Sequence, residues 1–216
     1  MRYRLTLEAR VDGKPVVGSG VIEVTYSKQP QITVQRDLAI DYRGEAVVLD
    51  LGSSGVIFAL LKAGVDSRSS PETIIFRAFG FDGGAFPGWT VEEGFDRLLH
   101  LSGSRDLPLA NLPMLVRFRD MSDPKTVERV NPGYLSTSFP GATLERATLE
   151  VVSARMWPFN LFGHAGPPIT TGIEKRLPWL SEYYNLRFDG QRYEIISPPS
   201  SFANSLASGA FKAGQQ

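Results

Sequence analysis

Residues 2–10 alternate without a break, with Tyr3, Leu5, Leu7 and Ala9 set against Arg2, Arg4, Thr6, Glu8 and Arg10. A period of two sends successive side chains to opposite faces, so this segment predicts a strand with one buried face. Asp12-Gly13 follows, a pair suited to a type I′ turn because both central residues there take positive φ, and 16–26 returns as the second strand. With Asp12 and Gly13 as the loop, Val11 faces Lys14, Ala9 faces Val16, Leu7 faces Gly18, Leu5 faces Gly20 and Tyr3 faces Ile22. Large side chains opposite glycines leave room for a second layer. Gly18-Ser-Gly20 therefore reads as a packing or bulge device rather than a phosphate loop. Further strands are predicted over 31–42, 45–51, 56–61 and 73–79, with Gly44 and Gly52-Ser-Ser-Gly55 as short connections and 62–71 as a polar loop. Such short connections favour an antiparallel meander or barrel over βαβ units.

The pattern then changes. Thr90-Val-Glu-Glu93 fits a capping box, in which the Thr hydroxyl and the Glu carboxylate satisfy each other's backbone amides. The helix it opens should bury Val91, Phe95, Leu98 and Leu99 and end at Gly103. Strand returns over 114–119. Asp123-Pro124 and Asn131-Pro132 each set a capping side chain before a proline at the first helical position, which predicts two short helical turns. A long strand is predicted over 143–154, but its apolar phase is mixed, so the core side stays open. Thr171-Gly-Ile-Glu174 fits a second capping box, and Pro178 should break its helix near Leu177. The segments 186–188 and 193–196 around Asp189-Gly190 read as a closing hairpin. After Pro198, the spacing of Phe202, Leu206 and Phe211 reads as an amphipathic helix docked on the body, with a frayed end as the alternative. The expected fold is a β-rich α+β domain: an antiparallel, strongly curved sheet or partial barrel with two or three short covering helices. One domain is expected over 1–197, with a tail over 198–216.

Composition narrows the function classes. The 216 residues are 42% apolar and 21% charged, which suffices for a buried core. Twenty-three basic and 23 acidic residues give zero net charge with no basic cluster, so nucleic acid is not an expected partner. Cysteine is absent, which removes disulfides, thiolate catalysis and Cys-ligated metal. No apolar run reaches the length of a membrane helix, so transmembrane insertion is not expected. Met1 leads straight into the first strand, which reads as cytoplasmic, or as cell envelope if an export leader has been removed.

The opening Arg2-Tyr-Arg-Leu-Thr-Leu-Glu8, Gly18-Ser-Gly-Val-Ile-Glu-Val24 and Thr171-Gly-Ile-Glu-Lys-Arg-Leu-Pro-Trp-Leu180 resemble an uncharacterised group of small proteobacterial proteins. Members of that group often begin with an export or lipoprotein leader, so the resemblance implies a bacterial, envelope-associated setting. It implies no activity, ligand or catalytic residue.

Candidate chemistry is concentrated in two segments that place rings on Gly- and Pro-rich backbone. The first, 79–89, carries Phe81, Phe86 and Trp89; the second, 156–168, carries Trp157, Phe159, Phe162 and His164. Gly and Pro forbid a long regular element there, yet the rings carry too much apolar area for an ordinary solvated loop. With Trp179 these residues are candidates to line a groove for a sugar, lipid, peptide or protein; the alternative is that they staple loops onto the core. Catalytic signatures are sparse. His100 falls in the last turn of the capped helix, where an imidazolium complements the dipole. No Gly-x-Ser-x-Gly elbow or Gly-x4-Gly-Lys loop occurs, and two isolated histidines do not suggest zinc. No cofactor or metal is expected. The leading expectation is a non-enzymatic binding module using the two aromatic segments. The alternatives are a hydrolase with His164 as general base oriented by Asp82, or a structural subunit of an assembly.

Overall fold

The computed structural model describes residues 1–28, 38–64, 69–81, 90–153, 167–196 and 201–214. Strands β1 (Arg2–Val11) and β2 (Lys14–Lys28) form the first hairpin in the expected register, from Tyr3 opposite Ile22 to Val11 opposite Lys14. Asp12 and Gly13 take φ of 48° and 80°, as a type I′ turn requires. Tyr3, Leu5, Leu7 and Ala9 are fully buried. β3 (Leu38–Glu45) joins β2, β9 (Ala142–Ser153) joins β1, and β6 (Gly103–Asp106) joins β9. With β10 (Lys212–Ala213) they make a six-stranded antiparallel sheet in the order β10-β3-β2-β1-β9-β6. The mixed phase of 143–154 has a structural cause. Glu8 faces Arg146 while Ala9 faces Leu144, so Glu145 is an extra residue and Leu144, Ala147 and Leu149 all reach the core.

A second antiparallel sheet contains β4 (Val47–Asp50), β5 (Val56–Ala59), β7 (Leu115–Phe118) and β8 (Val127–Arg129), in the order β4-β5-β7-β8. It stacks on the first sheet through the glycines of β2. A Cβ on Gly18 would lie 2.2 Å from the Val48 carbonyl oxygen, and one on Gly20 2.9 Å from Val47 Cγ2. The reading of Gly18 and Gly20 as packing devices holds. One face of the second sheet, with Leu49, Ile57 and Leu115, meets Leu5 and Leu7 in a first core. Its other face, with Phe58, Val116 and Phe118, meets Leu177, Phe188 and Phe211 in a second. A sheet buried on both faces needs no polar alternation, which is why 56–61 is apolar throughout. The fold is β-rich with short helices, as expected, but the described residues form two stacked open sheets and no barrel closes. Among the described residues no helix is long and apolar enough to cross a membrane.

Several local expectations are corrected. Segment 73–79 is a helix, α1 (Ile74–Ala78), with all five residues buried. Its start lies in Ser70-Pro-Glu-Thr73: the Ser70 amide donates to Thr73 Oγ1 (3.0 Å) and the Ile74 amide to the Ser70 carbonyl (2.9 Å). Gly44 lies inside β3 rather than in a turn, and the chain changes sheets at Ala46. α2 (Val91–His100) opens on the expected capping box at Thr90 but ends at Leu101, because Gly103 begins β6. Leu98 is buried, whereas Leu99, one step round the helix, is exposed. Asp123 and Asn131 cap short turns as expected, the second leading into α3 (Leu135–Ser138). Thr171 forms no capping box; Gly172 (φ 112°) precedes a 3-10 turn at Ile173–Lys175, and the Ile173 amide donates instead to Glu45 Oε2 (2.7 Å). Pro178 starts a further 3-10 turn, Pro178–Tyr183. The Asp189-Gly190 turn forms, but 191–196 is not paired as a strand among the described residues. The segment after 200 is not one helix. It forms two 3-10 turns and β10, with Leu206 and Phe211 fully buried in the second core.

Candidate functional site

The two aromatic segments are rooted at one end of the six-stranded sheet. Ser153, the last residue of β9, lies opposite Arg2, and Arg2 Nη1 donates to the carbonyl of Pro167 (3.1 Å). The residues on either side of 154–166 are thus held by one arginine, itself paired with Glu23 at 2.7 Å. The first segment starts from α1, whose Phe76 ring meets Tyr26 of β2 edge-on at 5.9 Å between centroids. It rejoins the described chain at Thr90, and Glu92 in the first turn of α2 pairs with Lys28 at the end of β2. Leu38 opposite Lys28, and Gly103 opposite Val151, complete the same end of the sheet.

Beneath this end lies a polar cluster that the sequence reading did not single out. Tyr3 donates to the Pro71 carbonyl (3.2 Å) and Tyr26 to the Glu72 carbonyl (2.6 Å). Burial first, and then the neighbouring Tyr26, Glu72 and Tyr42, hold the Tyr3 phenol well above its usual pKa. Burial and then Glu72 raise Tyr26 and Tyr42 as well. A raised phenol keeps its proton, and Tyr3 and Tyr26 serve as hydrogen-bond donors rather than bases. Ser69 Oγ and Glu72 Oε2 are buried with no hydrogen-bond partner among the described residues, a state that costs about 1–3 kcal/mol per group. The signal was present in the tyrosines at core-facing strand positions, but only the pairing of β1, β2 and β3 brings them together.

Of the site residues named from the sequence, two fall among those described. Phe81 is half-buried against the first core, its amide donating to Phe76 (2.9 Å) and its ring 5.8 Å from the Arg97 guanidinium. Arg105 sits likewise 4.9 Å from the ring of Phe79, a cation–π contact that holds the segment's start. Trp179 is half-buried and packs against the second core. Its indole donates to the Met121 carbonyl (2.8 Å), and Phe118, Tyr183 and Phe188 meet it edge-on at 5.2–5.7 Å. Phe81 and Trp179 thus pack against different cores. Phe86, Trp89, Trp157, Phe159, Phe162 and His164, with Asp82, lie outside the described residues. His100 ends α2 as expected, with Nδ1 2.7 Å from the Asp96 carbonyl. Among the described residues no three His, Asp or Glu side chains stand close enough to hold a metal ion.

A concavity of about 810 Å³, open to solvent, lies beside the pairing of β3 with β10. Asp41 and Arg43 of β3, Lys212 of β10, and Glu174, Ser181 and Tyr184 line it. Lys212 and Glu174 pair across it at 3.0 Å. No protein-family model, curated protein or solved structure matches this chain.

Proposed function

We propose that the chain is a non-enzymatic binding module whose contact surface is built from the aromatic segments 79–89 and 156–168. The observation that carries this reading is the common root of the two segments: Arg2, Lys28, Ser153, Pro167 and the start of α2 gather at one end of the six-stranded sheet. Segments rooted together on a rigid sheet can present rings to one partner at low entropic cost. At this end of the sheet Ser69 Oγ and Glu72 Oε2, without a hydrogen-bond partner among the described residues, are polar groups of the kind that orient a ligand. Trp179, half-buried against the second core and bonded to the Met121 carbonyl, is no part of this surface.

Trp89→Ala and Trp157→Ala are expected to shift Tm by less than about 2 °C, in line with substitutions away from a core. Acrylamide should quench the fluorescence of both tryptophans more strongly than that of half-buried Trp179. In a screen of oligosaccharides, peptides and phospholipid vesicles, whatever the wild-type chain retains should be lost in both variants. A loss of several kcal/mol in stability, with both tryptophans shielded from acrylamide, would assign the rings to the core and end this reading.

A further inference from the structure

β3 is extended from Leu38 to Glu45, but β10 covers its outer edge only at Gly44 and Glu45. The direction of its backbone groups follows from β2. Val21 donates to Thr170 Oγ1 (2.8 Å) and accepts the Thr170 amide (3.1 Å), so both its backbone groups point away from β1. The Val24 amide points the other way, to the Met1 carbonyl (2.8 Å). Backbone groups alternate between the two edges of a strand, so Glu23, Thr25 and Ser27 meet Arg43, Asp41 and Ala39 as hydrogen-bonded pairs. Leu38, Ile40 and Tyr42 therefore direct their N–H and C=O groups outward. Among the described residues no hydrogen bond reaches those groups. The opposite edge of this sheet is blunted: β6 is four residues long, wholly exposed, and carries Arg105 and Asp106. The open stretch Leu38-Ala-Ile-Asp-Tyr42 has no proline or lysine to discourage pairing. Asp41 and Tyr42 line the concavity of about 810 Å³, which leaves space along this edge. In that concavity Lys212 and Glu174 pair with each other, whereas Asp41 forms no ion pair among the described residues.

We propose that the outer edge of β3 takes up an extended peptide as an additional antiparallel strand, with a basic side chain opposite Asp41. The occupant is an extended chain because outward groups on every second residue are matched by another strand's backbone, not by a compact ligand. In the register that β10 begins, five residues of the peptide lie opposite 42, 41, 40, 39 and 38 in turn. The first, third and fifth exchange both backbone hydrogen bonds with Tyr42, Ile40 and Leu38. Their side chains cover Ile40 and Tyr42, which are only half-buried against the first core. The second residue points to the other face, that of Asp41, where a lysine supplies the missing opposite charge. Tyr184, 69% exposed, lines the same space and offers its ring to that cation. Five residues make a small contact, so the complex is transient.

The probe is acetyl-Val-Lys-Val-Thr-Val-amide, titrated into the full, isotope-labelled chain. Binding should slow hydrogen exchange at the Ile40 and Tyr42 amides. Those of Ala39 and Asp41, already bonded to β2, should exchange slowly with or without peptide. Methylating the amide nitrogen of the central valine, which faces Ile40, should abolish binding. Methylating that of the lysine, which faces away, should change affinity by no more than about twofold. Asp41 is exposed, so Asp41→Lys leaves the fold intact. It should weaken binding by about fivefold, and a peptide with glutamate in place of its lysine should restore it. No binding at about millimolar peptide would overturn the proposal. So would binding that leaves Ile40 and Tyr42 exchange unchanged, that tolerates both methylations equally, or that ignores the charge at 41.

Discussion

Gly18 and Gly20 let the two sheets meet through backbone where side chains would hold them apart. The two positions are not equivalent, because the obstacles differ in kind. A methyl at 18 would strike the backbone of Val48 and Leu49, which cannot give way without moving β4, whereas a methyl at 20 would meet the movable Cγ2 of Val47. Gly18→Ala should therefore destabilise the fold by about 3 kcal/mol, the upper part of the range for overpacking, and Gly20→Ala by about 1 kcal/mol. Urea unfolding midpoints of the two variants test the order; equal costs, or none, would mean that the sheets can shift apart. The extra residue at Glu145 is a second case of one position deciding geometry. It turns a strand whose apolar phase is inconsistent in sequence into one with a single buried face.

Between elements, the decisive contact is Glu45. It ends β3 in the first sheet, is 2% exposed, and accepts the amide of Ile173 in the 3-10 turn. Burial is the largest influence on its carboxyl and raises the pKa; the Ile173 amide and Lys212 offset this in part. A raised folded value means that protonation favours the native state. The contribution is present below the ordinary carboxylate range and is lost as pH climbs through the raised value. Glu45→Gln keeps an acceptor for Ile173 without the titration. The stability of the wild-type chain relative to Glu45→Gln should thus fall as pH rises from about 4 towards neutrality. Urea unfolding across that range reads the difference directly, and a pH-independent difference would show that Glu45 is effectively solvated.

At the scale of the molecule, three layers share two cores, and the middle sheet serves both. The second core is closed by the C-terminal segment. Phe211 packs 5.7 Å from Phe58, 5.8 Å from Phe118 and 5.5 Å from Phe188 between ring centroids, while β10 extends the first sheet beside β3. The last residues therefore join both sheets. Phe211→Ala should cost about 3–5 kcal/mol, the usual range for emptying a buried aromatic site. A melting temperature unchanged within about 2 °C would show that this segment only rests on the body.

What this sequence decided alone was short-range. Alternation placed β1, Asp12-Gly13 set the hairpin register, Thr90 with Glu93 capped α2, and Asp123 and Asn131 capped their turns. Each rests on interactions within a few residues, or across one tight turn, so the residues involved are legible side by side. The aromatic segments could be named the same way, but not the cluster of Tyr3, Tyr26, Tyr42 and Glu72, which come from separate stretches of chain. Tertiary packing decided what local pattern left undetermined. A run buried on all sides, such as Ile74-Ile-Phe76, carries no period to separate helix from strand, and its enclosure in the first core settled it as α1. Tyr193 to Ile196 has the chemistry of a strand, yet pairing requires a neighbour, and among the described residues its backbone meets only the side-chain amide of Asn204. Burial and pairing depend on residues more than a hundred positions apart, such as β1 with β9 or Phe58 with Phe211, and short-range pattern carries no record of those meetings.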